Sequence, residues 1–194
     1  MPHSRRTALG LIAAGVPLMA AGTTRAAPAK AATDAREPQF YDKPGVEWVM
    51  DIAPICSAPE PMGPADDTTA ADGKRDMAWP ITGGYFTGRG IRGTVIPGGG
   101  DFPLVRPDGV DVVDALYRLK TDDGVQIIIH NQGLAYSETT FRLLPTFNVP
   151  GRKYAWLRES VFVATLTYPV PESYDLGGIK PGENGRLIQV YRLA

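Results

Sequence analysis

The sequence is poor in the two residue types that most often carry metal or nucleophilic chemistry. Among 194 residues, Cys56 is the only cysteine, and His3 and His130 are the only histidines. No intramolecular disulfide can therefore form, and the chain cannot assemble a His-rich zinc site. Because a lone cysteine in an apolar context is more often packed than reactive, we interpret Cys56 as a small buried hydrophobic residue.

The common sequence motifs of nucleotide-binding proteins and serine hydrolases are also missing. There is no G-x-G-x-x-G between a strand and a helix, no G-K-[ST] phosphate loop and no G-x-S-x-G nucleophile elbow. We therefore predict no cofactor and no bound metal. An isolated imidazole at a strand end is more often structural than catalytic, so we interpret His130 as a structural or surface residue, with a ligand contact as the alternative.

The chain lacks an excess of positive charge. Its 20 lysines and arginines are balanced by 21 aspartates and glutamates, for a formal net charge of -1. No basic stripe or cluster stands out, which argues against nucleic acid as a partner.

The N-terminus has the pattern of an export signal. Paired arginines, Arg5 and Arg6, precede an apolar run from Leu9 to Ala21 and then alanine-rich sequence. This pattern is typical of a twin-arginine signal, and the apolar run is shorter than the roughly 20 residues that span a bilayer. A short amphipathic helix is the alternative. We predict a periplasmic or secreted protein with no stable membrane anchor after cleavage.

The composition of the sequence predicts where the signal, the tether and the folded domain begin and end. We predict the signal over residues 1–29, a flexible tether rich in Ala, Pro and charge over 30–44, and one domain over 45–194. Residues 1–29 contain three arginines and no acidic residue, so cleavage changes the net charge from -1 to -4. A chain of this length can bury a sizeable core as a single domain.

Helix-length periodicity is almost absent, and short apolar runs alternate with Gly and Pro turns instead. This pattern predicts an all-β fold, and the many glycines favour a single antiparallel β-barrel over a sandwich because curled strands need them. We expect a long surface loop over 53–77, a turn at Gly98–Gly100 and a helical turn or short strand after Tyr154. The predicted strands are Val46–Ile52, Gly83–Thr87, Ile91–Ile96, Phe102–Arg106, Val110–Lys120, Val125–Asn131, Thr140–Leu144, Val161–Tyr168 and Leu187–Leu193.

The strand Val110–Lys120 places one phenol on an otherwise apolar face. Val113, Ala115, Tyr117 and Leu119 share that face, and Asp114 lies on the other. If only the apolar face is buried, Asp114 is solvated or forms a cross-strand ion pair. If the barrel instead encloses a ligand, Asp114 or Tyr117 enters a low-dielectric pocket, where burial favours proton transfer by a carboxyl group.

Other charged and aromatic side chains stand out against their apolar neighbours. Asp101 follows three glycines, Asp123 lies in a hairpin turn, and Arg142 interrupts the apolar strand Thr140–Leu144. A buried arginine needs a carboxylate partner or an anionic ligand, so a structural Arg–Asp pair is the alternative to a functional Arg142. Trp156 is a candidate pocket wall, with core packing as the alternative.

The chain resembles the family of domains of unknown function called DUF3237 or UPF0311. The resemblance rests on ITGGYFTGRGIRGTVIPGGGDF from Ile81, RPDGVDVVDALYRLKTDDGVQIII from Arg106, TFRLLPTFNVPGRKYAWL from Thr140 and SVFVAT from Ser160. It implies a small antiparallel barrel similar to allene-oxide-cyclase-like barrels, often oligomeric. The family's recurrent polar positions correspond here to Asp101, Asp114, Tyr117, Asp122, Asp123, Arg142 and Trp156. Phe102 replaces the usual tryptophan after the aspartate, and the connection from Leu134 to Thr140 is shorter than is common.

These residues lead to two functional hypotheses. The first is an exported, cofactor-independent isomerase, cyclase or lyase acting on a small apolar or aromatic molecule. Asp101 or Asp123 would act as acid and base, Arg142 would stabilise an anion, Tyr117 would donate a hydrogen bond, and Asp114, Phe102, Trp156 and His130 would contact the ligand. The second is a lipocalin-like periplasmic binding protein that uses the same residues without catalysis. A purely structural homo-oligomer would have no cavity.

Overall fold

The computed structural model describes residues 43–63, 76–108, 110–175 and 184–194, which form antiparallel strands. The predicted export signal, and the tether up to residue 42, lie outside the described residues. The strands are β1 (Val46–Cys56), β2 (Glu60–Pro61), β3 (Met77–Gly88), β4 (Ile91–Asp101), β5 (Asp111–Thr121), β6 (Gln126–Ser137), β7 (Thr140–Asn148), β8 (Phe162–Thr167) and β9 (Leu187–Leu193).

The long strands close into a barrel. They pair in the order β1-β9-β8-β7-β6-β5-β4-β3, and β1 also pairs antiparallel with β3, so the eight-stranded ring has no free edge. The two-residue β2 pairs with β3 outside this ring. The prediction of an all-β antiparallel barrel is therefore confirmed. Within the described ranges the only helix is the 3-10 turn Ala155–Leu157, which is too short to cross a membrane.

Three local predictions were wrong. The strand predicted over Phe102–Arg106 is absent from that described segment, where Leu104 forms only an isolated bridge with Val112. The loop predicted over 53–77 begins later, because β1 continues to Cys56 and its end pairs with β3. The predicted turn at Gly98–Gly100 is part of β4, where the register with β5 shifts between Ile96 and Gly99. A Cβ atom on Gly99 would lie 2.3 Å from the carbonyl oxygen of Leu116, and φ there is +92°. The glycines thus allow a bulged strand to pass close to β5 instead of ending it.

The barrel interior has two unlike halves. Alternation along β5 points Val113, Ala115, Tyr117 and Leu119 inward, as the sequence predicts. Around Leu119 the interior is filled by apolar side chains, and the 3-10 turn covers that end. The packed side chains there include Met50, Phe86, Ile91, Leu119, Ile127, Phe147, Leu157 and Val190. Around Val113 and Ala115, at the other end of β5, the interior is a cavity.

Candidate functional site

The cavity has a volume of about 660 Å³, which suits a small organic molecule. Its walls are mostly apolar, and they come from all eight strands of the ring and the segments that flank them. The polar side chains among its described lining residues are Asp101, Asp111, Tyr117, Asn131, Glu138 and Arg186, together with Ser137, Thr139 and Tyr168. This end of the barrel therefore combines a mostly apolar cavity with a few polar side chains in its wall.

Asp101 is held in the wall by the last residues of β4. It pairs with Ala115 on β5 and Trp79 on β3, two residues that also line the cavity. Its Oδ1 accepts a hydrogen bond of 3.0 Å from the backbone N–H of Asp114. Burial raises the pKa of the Asp101 carboxyl to about 6, and the backbone hydrogen bond only partly opposes this. A carboxyl group in this state can both accept and return a proton near neutral pH.

Tyr117 and Asn131 bring polar atoms that have no partner. The Tyr117 side chain is 2% exposed and Asn131 1%, and neither the phenol oxygen nor either amide atom has a hydrogen-bond partner in the structure. Burial also raises the pKa of the Tyr117 phenol far above its ordinary value, so it stays a hydrogen-bond donor. Because unpaired buried polar groups are costly, these two side chains are poised to bind polar atoms of a ligand or water.

Arg186 is the cation of the cavity. Its guanidinium lies 3.7 Å from the centroid of the Tyr168 ring and 5.3 Å from that of Trp79. Its positive charge acts on both Asp101 and Cys56 and lowers the pKa of each, although burial outweighs it in both cases. No carboxylate within the described ranges forms an ion pair with Arg186.

Cys56 also lines the cavity and is buried, as the sequence predicts. Burial raises the pKa of its thiol, which keeps it protonated and poorly nucleophilic at neutral pH. The β6–β7 hairpin supplies Ser137, Glu138 and Thr139 to the cavity wall, so the short connection after Leu134 helps to shape the site.

Asp123 lies at the opposite end of the barrel from Asp101. It follows β5, where its carboxylate accepts hydrogen bonds of 2.5 Å from Lys153 Nζ and 2.9 Å from the Tyr154 hydroxyl. These contacts, the Lys153 bond first, lower the pKa of Asp123 well below its usual range. Neighbouring Asp122 forms an ion pair of 2.7 Å with Arg92. Asp123 does not line the cavity and cannot share a substrate with Asp101 there.

Asp114 and His130 lie on the outer face of the barrel. Asp114 Oδ1 and His130 Nε2 are 2.6 Å apart, and both side chains are about 40% exposed. This is the solvated cross-strand pair that the sequence offered as one alternative for Asp114. Asn131, the next residue on β6, points its side chain into the cavity instead, because successive side chains of a strand lie on opposite faces.

Arg142, Phe102 and Trp156 also lie outside the cavity lining. Arg142 is exposed and donates to the backbone carbonyl of Phe141 at 2.8 Å, so it needs no buried partner. The expectation of a buried Arg142 was wrong because β7 alternates, and only every second side chain points inward. Phe102 is 44% exposed. Trp156 packs edge-on against Phe162 at a centroid distance of 6.1 Å.

Of the eight predicted site residues, the structure thus brings Asp101 and Tyr117 together. It adds Asn131, Arg186 and Trp79, which the sequence analysis missed. Asn131 left a readable signal, because it continues the inward face of Ile127 and Ile129 with an amide. Arg186 left no such signal, since it lies just before β9 and is held at the cavity by contacts that include the rings of Tyr168 and Trp79, which are far from it along the chain or on another strand.

Comparison with known proteins supports the same family as the sequence motifs. The model of the family described as "Protein of unknown function (DUF3237)" matches residues 44–139. A UPF0311 protein of Clostridium acetobutylicum is 35% identical over 108 residues, covering 47% of this chain and 68% of the relative. The chain belongs to the DUF3237/UPF0311 family. Asp101, Asp111, Tyr117 and Asn131 all fall within the matched segment, whereas Arg186 lies beyond it.

Solved structures share the barrel. A protein of unknown function from Clostridium acetobutylicum superposes with a TM-score of 0.63 at 27% identity, covering 79% of this chain and 99% of its own. A structure described as an enzyme from Penicillium herquei reaches a TM-score of 0.57 at 22% identity, over 81% of this chain and 100% of its own. The second likeness shows a shared fold. It says nothing by itself about the chemistry of this DUF3237 member.

Proposed function

We propose that this DUF3237 protein is an exported, cofactor-independent isomerase, cyclase or lyase that acts on a small, mostly apolar organic molecule in the cavity. One observation carries the proposal: Asp101 shares a mostly apolar cavity with polar atoms of Tyr117 and Asn131 that have no partner among the described residues. Export rests on the N-terminal sequence pattern alone.

The cavity residues supply both parts of a proton transfer. The Asp101 carboxylate takes a proton from a carbon next to a substrate carbonyl, and the electron pair of that C–H bond moves onto the carbonyl oxygen. Tyr117 O–H and the Asn131 amide N–H donate hydrogen bonds to the resulting enolate oxygen. In an isomerase, a substrate with a β,γ-double bond gives a dienolate, and Asp101 returns the proton to the γ-carbon as the carbonyl re-forms and the double bond moves to the α,β-position. In a lyase, the carbonyl re-forms, the enolate electron pair makes a double bond between the α- and β-carbons, the C–O bond at the β-carbon breaks, and Asp101 gives the proton to the departing oxygen.

The raised pKa of Asp101 suits this task. A carboxyl with a pKa of about 6 is mostly ionised at pH 7, yet it is a stronger base than an ordinary aspartate. The Penicillium herquei structure is compatible with the proposal, because an enzyme there uses the same fold.

The first experiment is to find a ligand. A thermal-shift screen of aromatic and terpenoid compounds against the folded protein should reveal binders, since ligands that bind only the native state raise its melting temperature. Binders that contain a carbonyl next to a C–H group should then be tested for isomerisation or elimination, with hydrogen–deuterium exchange at that carbon as a sensitive readout.

Asp101→Asn distinguishes catalysis from binding. Catalysis predicts that the variant retains ligand affinity and loses turnover and exchange. If the wild-type protein binds its ligand but neither turns it over nor exchanges its protons, the lipocalin-like binding protein replaces the enzyme as the function of this cavity.

A further inference from the structure

Arg186 lies in the cavity wall, and no acidic side chain in the described part of the chain pairs with it, so this position needs an explanation. Its guanidinium stacks on Tyr168 and lies beside Trp79, so aromatic rings rather than a carboxylate orient it. Arg186 Nη1 donates at 3.2 Å to the carbonyl of Asn184, and no hydrogen bond from Nε or Nη2 is found within the described part of the chain.

The edge formed by Nε and Nη2 is one of the two guanidinium edges that bind carboxylates in a bidentate way. Arg106 shows this use elsewhere in the molecule, since its Nε and Nη2 donate to the two carboxylate oxygens of Asp108. Arg186 lines the cavity, and its own Nε and Nη2 have no such acceptor among the described residues. A ligand carboxylate would supply it.

The aromatic support of Arg186 is itself held in place. Tyr168 directly follows β8, and further along the same segment Tyr174 donates a hydrogen bond to Asp51 on β1. Trp48 Nε1 donates to the other oxygen of Asp51 at 2.6 Å. This buried carboxylate therefore ties the segment that follows Tyr168 to the barrel wall, which restricts the chain that carries the ring beneath Arg186.

We propose that the cavity ligand is a small apolar or aromatic carboxylic acid whose carboxylate binds Arg186 and whose second oxygen function reaches Tyr117 and Asn131. This deepens the proposed function and rests on it for the identity of the cavity as the site. The three polar anchors then divide the work: Arg186 orients the acid, Tyr117 and Asn131 hold the reacting oxygen, and Asp101 remains available for the proton.

Matched acid and amide pairs test the inference directly. The probes are benzoate and benzamide, cinnamate and cinnamamide, and 4-hydroxycinnamate and 4-hydroxycinnamamide, which differ in charge but little in shape. Isothermal titration should show at least one acid binding about tenfold or more tightly than its amide, as a charge-assisted bidentate contact implies. Arg186→Met should remove that preference, and Arg186→Lys should keep only part of it because lysine lacks the planar fork.

Arg142→Met is the matched control, since Arg142 is exposed on the outer face and its loss should leave the preference unchanged. Equal binding of acid and amide by the wild-type protein would overturn the inference even if Arg186→Met failed to fold, and the cavity would stand as a site for neutral molecules. Failure of every acid to bind would also overturn it. The proposed catalysis fails separately, when a bound carbonyl compound shows no proton exchange.

Discussion

The two ends of this barrel are built from the same strands but serve different purposes. At one end Leu119 and Ile127 are fully buried in a packed core, and Asp123 is paired with Lys153 on the outside. At the other end Val113 and Ala115 border a cavity, and Asp101 is half-buried with no charged partner in contact among the described residues. On β5, Ala115 lies at the cavity end and Thr121 at the packed end, about 20 Å apart at the usual rise per residue.

The contrast shows how one closed sheet can hold both stability and a site. The packed end satisfies its polar groups and fills its volume, which stabilises the fold. The cavity end leaves polar atoms of Tyr117 and Asn131 without partners among the described residues, and burial there raises the pKa of the Asp101 carboxyl. Such local costs are expected where a protein keeps groups ready for a ligand.

The largest expected effect separates the aspartates of the two ends. Asp101→Asn should reduce turnover or proton exchange about 100-fold or more, because the variant cannot act as acid or base. Asp123→Asn should leave the rate within about twofold, since Asp123 does not line the cavity. Steady-state kinetics with a ligand from the thermal-shift screen measure both. A comparable loss in the Asp123 variant would contradict the assignment of the site to one end.

The second prediction compares two buried isoleucines. Ile127→Ala at the packed end should lower the free energy of unfolding by about 2–5 kcal/mol, because its neighbours cannot close the new void. Ile188 is also buried but lines the cavity, so Ile188→Ala should cost clearly less. Urea denaturation of both variants gives the difference. Equal losses would show that the cavity end is packed as tightly as the other.

The third prediction uses pH. The pKa of Asp101 is about 6 in the folded protein and ordinarily 3.8, so between these values the folded state holds a proton that the unfolded state has lost. The free energy of unfolding should therefore fall by up to about 3 kcal/mol as pH rises from about 4 to about 6. Asp101→Asn should lack this fall and be more stable than the wild type at pH 7.

The pH dependence of stability has the opposite sign for Asp123, at the packed end of the barrel. Because Lys153 lowers the pKa of Asp123, its contribution to stability is complete at neutral pH and is lost only as pH falls below the ordinary aspartate range. Denaturation curves of wild type and Asp101→Asn from about pH 2 to about pH 8 resolve the two effects, because the Asp101 effect lies above about pH 4 and the Asp123 effect below it. If the two proteins run parallel over this range, Asp101 is not held in the state described.

The smallest expected effect is at the exposed ion pair. Lys153→Met should lower the melting temperature only slightly, because solvent screens its bond to Asp123. Thermal unfolding in low and high salt provides the check, since salt should reduce the wild-type advantage. A loss as large as that of Ile127→Ala would mean that this end depends on charge rather than on packing.

Much of the fold was predictable because it follows from local periodicity. Period-two alternation identified β5 and its inward residues, and β9 was predicted with its observed bounds. The errors fell where a strand carries an irregularity. Gly98–Gly100 has the composition of a turn, but the pairing of β4 with β5 continues through it as a bulge.

The site was less predictable because it depends on which side chains meet across the barrel. Asp101 and Tyr117 were among the candidates, yet Arg142 was chosen as the cation in place of Arg186. Both arginines adjoin apolar strand residues, and the sequence around them does not say which one faces inward. Strand register points Arg142 out, while a stacked tyrosine from another segment holds Arg186 at the cavity.

The sequence by itself determined the strands, the all-β class, the family and the inward face of β5, because each depends on neighbouring residues or on ordered motifs. Tertiary structure alone decided that one half of the barrel is packed and the other empty, since that depends on the summed volumes of side chains from many strands. It also decided that Asp101, Tyr117, Asn131 and Arg186 share one cavity, because ring closure brings together residues that lie far apart along the chain.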